Sequence, residues 1–174
     1  MTKQLRLGGF FSVPGNHLAG WRHPDAIPTS DMDFQQYAHI TQVAEAAKFD
    51  TIFFQDTVAV AVAGSDAMLA GDTTRTRLSR IVKLEPLACL AALAVGTSHI
   101  GLIATATTTY NEPYNIARRF MSIDHISGGR AGWNLVTSQI EDESENFGFD
   151  QHMPHAERYE RAAEFYEEIG RAHV

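Results

Sequence analysis

The strongest constraint in this sequence is a regular alternation between short apolar runs and longer amphipathic segments. The apolar runs lie at residues 5–11, 51–54, 99–104 and 130–136. Segments with apolar residues at helical spacing follow them, one over residues 33–48 and three that begin near Pro86, Pro113 and Pro154. Alternation of this kind predicts an α/β fold with a parallel sheet and right-handed crossovers. An open doubly wound sheet and half of an eight-stranded barrel both fit, and periodicity does not separate them.

Composition narrows the class of protein further. The 174 residues suffice for one domain, and a net charge of -7 without a Lys/Arg cluster argues against a nucleic-acid-binding surface. The single cysteine, Cys89, excludes an internal disulfide and a multi-cysteine zinc site, and we expect it to be an inert core residue. No apolar run is long enough to span a bilayer and the N-terminus lacks a signal-peptide pattern, so we expect a cytoplasmic protein without membrane contact.

Parallel α/β folds bind their ligands beyond the carboxyl ends of the strands, so the residues there are the first candidates for a site. They are residues 15–17, 55–57, 105–111 and 134–138. Together they bring an imidazole, a carboxylate, and several hydroxyl and amide groups to one rim. This mixture suits a polar heteroaromatic ligand with donors and acceptors around its edge.

Each candidate also has a plainer structural interpretation. Asp56 equally fits a local turn cap, His17 a loop histidine bonded to backbone, and the threonines ordinary strand residues. Asn134 is harder to explain in this way, because an amide among buried strand residues needs hydrogen-bond partners. His152 and His155 have a possible metal spacing but lack a second ligand pair, so we expect no metal site.

The sequence contains no G-x-G-x-x-G, Walker or G-x-S-x-G motif, but several segments in order resemble flavin monooxygenases of the luciferase-like superfamily. The most specific match is residues 124–138, DHISGGRAGWNLVTS. The other matching segments are residues 21–24, 49–56, 105–110, 111–114, 117–119, 146–148 and 155–159. The subgroup that the sequence resembles contains the nitrilotriacetate, EDTA, dibenzothiophene-sulfone and long-chain alkane monooxygenases.

This resemblance implies a TIM-type (β/α)8 barrel, of which the chain supplies about the first four βα units. It also implies an enzyme that takes reduced FMN from an NAD(P)H:flavin reductase, reacts it with O2 and oxidises a small organic substrate through a C4a-peroxyflavin. The alternatives are a deazaflavin-dependent oxidoreductase of the same superfamily and a non-catalytic flavin-binding fragment. Residues 146–148 and the His155/Tyr159 pair favour FMN over deazaflavin. The full-length protein is expected to be a homo-oligomer, and the fragment alone to be inactive.

The resemblance also implies cofactor-binding roles for individual residues. Asp56, Thr105, His155 and Tyr159 resemble the family's flavin contacts, and Asn134 would lie under the isoalloxazine ring. Because His155 and Tyr159 are four residues apart, they share one helix face near its N-terminus, where the helix dipole favours a phosphate.

A catalytic role and a role in excluding water are implied for other residues. His17 resembles an active-site histidine beside the flavin, and an imidazole that titrates near neutral pH suits proton handling. The polar stretch at residues 57–83 and the apolar Phe10, Phe54 and Trp133 are candidates for keeping water from the flavin. For Phe54 and Trp133, a position in the core is an equally good interpretation.

The length of the chain suggests an incomplete barrel. A full barrel takes about 250 residues, so we expect residues 1–168 to form the N-terminal half of one. Residues 169–174, IGRAHV, equal the translation of a common sequencing adapter in one reading frame, and we expect them to be a non-native tail. A natural helix end interrupted by Gly170 is the alternative.

Overall fold

A computed structural model of the chain describes residues 4–12, 15, 17, 20, 23–27, 31–59 and 83–171. Most of the polar stretch between residues 57 and 83 lies outside the described residues, as do Trp21, Arg22 and residues 172–174. Within the described part, strands and helices alternate along the chain as the sequence pattern predicts.

The strands form one parallel sheet, and they are β1 (Gly8–Phe11), β2 (Thr51–Phe54), β3 (Gly101–Thr107) and β4 (Ala131–Val136). Their order in the sheet equals their order in the chain. A doubly wound sheet reverses its direction once, which places helices on both faces, whereas sequential order keeps every right-handed crossover on the same face. The described sheet is therefore wound like one half of a (β/α) barrel.

The helices are α1 (Phe34–Ala46), α2 (Pro86–Val95), α3 (Pro113–Ser127) and α4 (His155–Arg171). Asp33 starts α1 by accepting the Gln35 N–H with its carboxylate, and proline occupies the first position of α2 and α3, where no N–H donor is needed. Gly128 ends α3 in the left-handed conformation (φ 70°), which glycine adopts without steric cost. No helix in the described part of the chain is both long and apolar enough to cross a membrane.

The start of β3 differs from its predicted position because a charged side chain competes for the backbone. One carboxylate oxygen of Glu45 accepts the N–H groups of Ser98, His99 and Ile100, so the strand begins only at residue 101. Likewise, β1 begins at residue 8 instead of 5, because the Leu7 N–H donates to the carboxylate of Asp50, the residue before β2.

The end of β3 also corrects the sequence prediction. The strand was expected to stop at residue 104, with Thr105 in the loop beyond it. Instead β3 continues to Thr107, because its last three residues pair in parallel with residues 134–136 of β4. Thr105 and Thr107 therefore point in a direction set by the strand, not by a turn.

Helix α4 passes without interruption through the boundary predicted at residue 168. It continues to Arg171, and Ile169 is partly buried against the core. A glycine inside a helix costs about 1 kcal/mol relative to alanine, and Gly170 is helical in spite of this cost. Residues 169–171 thus continue the helix, although their apolar pattern did not predict this. A non-native origin for residues 169–174 stays a prediction.

The core lies between the sheet and the helices. Its largest fully buried members are Ile52, Leu90, Leu93, Ile100, Leu102, Ile116 and Phe165. Phe54 packs on Tyr37 with ring centroids 5.5 Å apart, and Trp133 contacts Phe165 and donates its indole N–H to the Ala106 carbonyl. Phe54 and Trp133 are thus core residues, which is the plainer of their two predicted roles.

Cys89 belongs to the same core. Its side chain is buried on α2, and burial raises the pKa of the thiol to about 12. A thiol in this state is neither a nucleophile nor a metal ligand at neutral pH. The prediction of an inert core cysteine is confirmed.

The face of the sheet that points away from the helices carries a second apolar layer. Phe10, Phe53, Ile103 and Gly132 are successive register neighbours across the four strands, and the two phenylalanine rings lie 5.1 Å apart. A Cβ at Gly132 would lie 2.9 Å from Ile103 Cγ1, so glycine allows β4 to pack beside β3 here. This layer forms the apolar floor beneath the candidate site.

Candidate functional site

A polar pair lies directly above the apolar floor, two residues further along β3 and β4. Thr105 and Asn134 are register neighbours, and the Asn134 Nδ2–H donates to Thr105 Oγ1 over 2.9 Å. Thr105 is buried and Asn134 half-buried. The amide of Asn134 thus finds the hydrogen-bond partner that its position among strand residues demanded. The structure brings these two candidates together.

Asp56 follows β2 at the same end of the sheet. Its carboxylate forms an ion pair with Lys83, whose Nζ lies 3.1 Å from Asp56 Oδ1 and 3.3 Å from the Gln55 carbonyl oxygen. Burial raises the pKa of Asp56 above its ordinary value, against the opposing effects of Lys83 and of the Thr57 N–H. Asp56 therefore makes both a local turn contact, to the Thr57 N–H, and a long-range ion pair, with Lys83.

A cavity of about 410 Å³ opens between the end of β4 and the N-terminus of α4. His155 and Tyr159 lie on its α4 side with ring centroids 4.7 Å apart, and Asp56 lies on its β2 side. The cavity is within the size range of small-molecule sites, about 300 to 1,000 Å³. The N-terminus of α4 carries a partial positive charge, so this cavity suits a ligand with an anionic group.

Arg158 is the residue that sequence reasoning missed at this cavity. Its side chain is 9% exposed, and its Nη1 donates to the Ser138 carbonyl and to His152 Nε2, the latter over 2.9 Å. Its Nε–H has no hydrogen-bond partner among the described residues. The available signal was its position three residues after His155, which puts a cation on the cavity side of the first turns of α4.

Glu143 is a second missed residue, and it holds two loops together. It is 3% exposed, and its carboxylate accepts the N–H groups of Val58, Gln139 and Ile140, each over 3.1 Å. Asn146 Nδ2 donates to the Val58 carbonyl over 2.8 Å, so both backbone groups of that residue are bonded. Because Val58 follows β2 and the other two follow β4, Glu143 fixes the separation of two loops at the site.

A smaller cavity of about 180 Å³ lies beside the first and shares Asp56, Thr57, Val136 and Glu143 with it. Four of its lining residues carry a hydroxyl group, namely Thr57, Thr105, Thr107 and Tyr110. The ring of Tyr110 stacks on Phe147, another lining residue, with centroids 4.5 Å apart and planes 5° apart. The small cavity thus has a rigid aromatic wall and a row of hydroxyls.

His17 is the candidate that the structure does not bring into this group. Its side chain is exposed, its carbonyl accepts the Gly20 N–H over 2.9 Å, and it is not among the described residues that line either cavity. The residues on both sides of it in the chain lie outside the described residues. Its predicted role in proton handling stays a prediction.

The two histidines with a possible metal spacing contact other groups. His152 is bonded to Tyr110 and Arg158, and the His155 ring packs on Tyr159. Across the described ranges, no group of three or more His, Cys, Asp or Glu side chains is arranged to hold a metal ion.

Comparison with known proteins identifies the family. A family model described as "Luciferase-like monooxygenase" matches residues 13–173. The chain belongs to this family. It is 49% identical over 172 residues to nitrilotriacetate monooxygenase component A of Aminobacter aminovorans, a match that covers 94% of this chain and 36% of that protein. The chain thus spans just over a third of the length of this relative.

Solved structures agree with this assignment and with the fold. EDTA monooxygenase from Chelativorans sp. BNC1 superposes with a TM-score of 0.84 at 26% identity, over 96% of this chain and 38% of that one. Riboflavin lyase, solved with modified FMN and riboflavin, superposes with a TM-score of 0.78 at 33% identity, over 96% and 37% of the two chains. The predicted resemblance and the predicted TIM-type barrel, of which this chain forms the first part, are both confirmed.

Proposed function

We propose that this chain is the N-terminal part of an FMN-dependent monooxygenase that uses reduced FMN and O2 to oxidise a small organic substrate. Membership of the family supports this assignment, and so does the convergence of Asp56, Thr105, Asn134, His155 and Tyr159 at one end of the sheet. The relatives are named as monooxygenases, but the chain covers only 36% of the first of them, so the activity belongs to a longer protein.

The fit of FMN to this site depends mainly on Arg158. A buried guanidinium with an unsatisfied N–H requires an acceptor, and an anion in the adjacent cavity of about 410 Å³ would supply one. The N-terminus of α4 adds a partial positive charge at the same place. His155 and Tyr159 are one turn apart on the cavity wall and offer further donors. These groups suit the phosphate of FMN, and this observation carries the proposal.

The remaining candidates suit the polar edge of a flavin ring. Thr105 accepts from Asn134 and keeps its own hydroxyl proton for a ligand, while Asn134 keeps its side-chain carbonyl oxygen. Asp56 is held in place by Lys83, and its raised pKa reflects a site already shielded from water. Beneath them, Phe10, Phe53 and Ile103 give the floor an apolar surface.

Reduced FMN would supply the electrons that activate O2, with one oxygen atom entering the substrate and the other leaving as water. The residues of this chain would bind the phosphate, orient the ring and exclude water from it. We assign His17 the transfer of a proton at its imidazole, on the basis of the sequence resemblance alone.

A separate NAD(P)H:flavin reductase is the expected source of the reduced cofactor. The relative with 49% identity is named component A, which indicates a system of more than one component. That relative and the superposed EDTA monooxygenase are named for polycarboxylates, so a polar organic acid is a reasonable first substrate to test.

Titration of the chain with FMN and with riboflavin, followed by flavin fluorescence, tests the phosphate site. Arg158→Gln should weaken FMN binding at least tenfold, about 1.4 kcal/mol, because it removes a charged donor. Riboflavin has no phosphate, so its affinity should change much less. Arg118→Gln, at an exposed arginine of α3, removes the same charge and should leave both affinities unchanged. Equal losses for FMN and riboflavin in Arg158→Gln would contradict a phosphate site.

Experiments on the full-length protein distinguish the competing functions. Parallel titrations with FMN and coenzyme F420 distinguish a flavin enzyme from a deazaflavin enzyme, and we expect binding of FMN only. Anaerobic reduction in the presence of FMN, followed by an oxygen pulse with nitrilotriacetate, tests catalysis. Reoxidation without any oxidised organic product across a panel of polycarboxylates, sulfones and alkanes would favour a non-catalytic flavin-binding protein.

A further inference from the structure

The threonines near the end of β3 fall into two classes by the direction of their hydroxyl bonds. Thr108 and Thr109 donate to the carbonyls of Val136 and Thr137, over 3.3 and 2.6 Å. Their protons are therefore used to hold the loop after β4. Thr108 and Thr109 act as structural donors between neighbouring strand ends.

The other two threonines of this run act as acceptors. Thr105 Oγ1 accepts the side-chain N–H of Asn134 over 2.9 Å, and Thr107 Oγ1 accepts the backbone N–H of Thr109 over 3.1 Å and the hydroxyl of Ser138 over 2.8 Å. The Thr107–Ser138 bond joins two hydroxyls, and either of them can be the donor. The Thr105 hydroxyl is bonded to the Asn134 amide only as an acceptor, so its own proton is available to a ligand. Both face the cavity of about 180 Å³.

The Tyr110 hydroxyl also acts as an acceptor. The reason lies in its bond to His152, which is bonded in turn to Arg158. Its hydroxyl is bonded to His152 Nδ1, and the other ring nitrogen, Nε2, lies 2.9 Å from Arg158 Nη1. A guanidinium can only donate, so His152 Nε2 must accept. A neutral imidazole that accepts at Nε2 carries its proton at Nδ1 and donates it to the Tyr110 oxygen. The Tyr110 hydroxyl proton is then directed elsewhere.

The carboxylates that line the small cavity already accept hydrogen bonds or ion pairs. Asp56 is paired with Lys83, Glu143 accepts three backbone N–H groups, and Glu85 accepts the Ala88 N–H at the start of α2. Among the described lining residues, the hydroxyls of Thr105 and Tyr110 thus have protons to donate, whereas the carboxylates already accept hydrogen bonds. A ligand with oxygen acceptors complements these two donors.

We propose that Tyr110 donates its hydroxyl proton to an oxygen acceptor of the bound ligand, with Arg158 and His152 as the positioning residues that fix the direction of this bond. Thr105 donates to the same ligand from β3. The proposal rests on the proposed function, and the acceptor is a carbonyl oxygen of the flavin ring or a carboxylate oxygen of the substrate. The two sources share the same chemistry.

Two features keep Tyr110 suited to this role. Burial raises the pKa of its hydroxyl, and Glu143 raises it further while Arg158 lowers it, so the hydroxyl keeps its proton at neutral pH. The stack on Phe147 and the contact with Phe149, at 6.2 Å between centroids, hold the ring in one orientation. The donor is thus prepositioned before a ligand arrives.

The direction of the bond can be read from the nitrogen resonances of His152. In the chain labelled with 15N-histidine, the His152 signals are those absent from the His152→Gln spectrum. We expect a protonated, pyrrole-like Nδ1 and an unprotonated, pyridine-like Nε2 at pH 7.5. A proton on Nε2, or on both nitrogens, would overturn the proposal, because Tyr110 would then donate to the histidine or the Arg158 contact would be lost.

Binding by a variant that lacks only the hydroxyl tests the ligand contact. Tyr110→Phe should weaken binding about fivefold to tenfold, the value of one lost hydrogen bond, for either oxidised FMN or nitrilotriacetate. Loss in the FMN titration identifies the flavin ring as the acceptor, and loss only in the nitrilotriacetate titration identifies a substrate carboxylate. Tyr114→Phe is the matched control, since Tyr114 is 72% exposed on α3 and lines neither cavity.

The outcomes separate this proposal from the proposed function. If the wild-type chain binds FMN and Tyr110→Phe binds both ligands as well as wild type, the proposal fails and the proposed function stands. If the wild-type chain binds nitrilotriacetate but not FMN, the proposed function fails and the nitrilotriacetate titration decides the role of Tyr110. Binding of neither ligand by wild type overturns both.

Discussion

The two ends of the sheet use charged and polar side chains in different ways. At the N-terminal end, Glu45 binds three backbone N–H groups, and Asp50 binds Arg6 and the Leu7 N–H. Arg130 donates to Ser127, Thr97, Ile100 and Ala94 through all three of its nitrogens. At the C-terminal end, the Nε–H of Arg158 has no acceptor within the described part of the chain, and the Thr105 hydroxyl accepts the Asn134 amide.

The carboxylate pKa values show the same contrast. Burial raises the pKa of Glu45, but its three backbone hydrogen bonds outweigh this effect and bring the pKa below its ordinary value. The side-chain hydrogen bond from Arg6, with the Leu7 N–H, likewise lowers the pKa of Asp50. At the other end, burial raises the pKa of Asp56 in spite of the Lys83 ammonium. Hydrogen bonds thus stabilise the charged form of both carboxylates at the N-terminal end, whereas burial destabilises the charged form of Asp56 at the C-terminal end.

This difference follows from the division of labour within a barrel. Loops at the N-terminal end connect helices to strands and need only be stable, whereas the C-terminal end must leave polar groups available for a ligand. Groups that await a ligand lower the stability of the ligand-free protein. Substitutions at the N-terminal end should therefore mainly lower stability, and substitutions at the C-terminal end should mainly weaken ligand binding.

The largest effect on stability is expected for Arg130→Ala. It removes five hydrogen bonds that connect the end of α2, the end of α3 and the start of β3. We expect the free energy of unfolding in urea to fall by about 3 kcal/mol. Arg118→Ala on the exposed face of α3 is the control and should change it by less than about 0.5 kcal/mol. A similar small change for both variants would remove the contrast between the two ends.

A matched pair of amide substitutions compares the carboxylates directly. Glu45→Gln should lower the free energy of unfolding at pH 7 by about 1 kcal/mol, because it weakens the carboxylate bonds to the backbone. Asp56→Asn should leave the free energy of unfolding unchanged or raise it slightly, because it removes a carboxylate held against its desolvation cost. FMN titration should show the reverse order, with weaker binding only in Asp56→Asn. Equal destabilisation by both would contradict the contrast.

Two threonine substitutions four residues apart separate structural hydroxyls from ligand-binding ones. Thr109→Val removes the donor to the Thr137 carbonyl, and Thr105→Val removes the acceptor for the Asn134 amide. Each should cost about 1 kcal/mol in urea unfolding. Only Thr105→Val should weaken FMN binding, by about fivefold. Weaker FMN binding in Thr109→Val to the same degree would indicate that the effect comes from the shape of the loop.

The smallest effect is expected in the pH dependence of stability. The lowered pKa values of Glu45 and Asp50 contribute stability above their unfolded values, about pH 4, and this contribution is lost as the pH falls through the folded values. Asp56 acts with the opposite sign, because its stability contribution is present below its unfolded pKa and lost as the pH rises through the raised folded value. We expect two results from urea unfolding between pH 3 and 7. The free energy of unfolding of Asp56→Asn should exceed that of wild type most at pH 7, and that of Glu45→Gln should fall below wild type least at pH 3.

The sequence predicted the parts of the site that depend only on where the parallel strands end. Residues at the carboxyl ends of β2, β3 and β4 lie together, and Thr105 and Asn134 are even direct partners. Arg158 and Glu143 were missed because their importance comes from burial and from partners in other loops. Val58, for example, lies 85 residues before the carboxylate that binds it.

The alternation of apolar runs and amphipathic segments by itself determined the parallel sheet, because strands and helices of that period can bury their apolar faces only by crossing over in one hand. Only the tertiary structure decided the sequential strand order, the burial of Arg158 and the hydrogen-bonded contacts that connect Arg158, His152 and Tyr110. Those properties arise from contacts between segments far apart in the chain, and no local pattern specifies which buried donor is left without an acceptor.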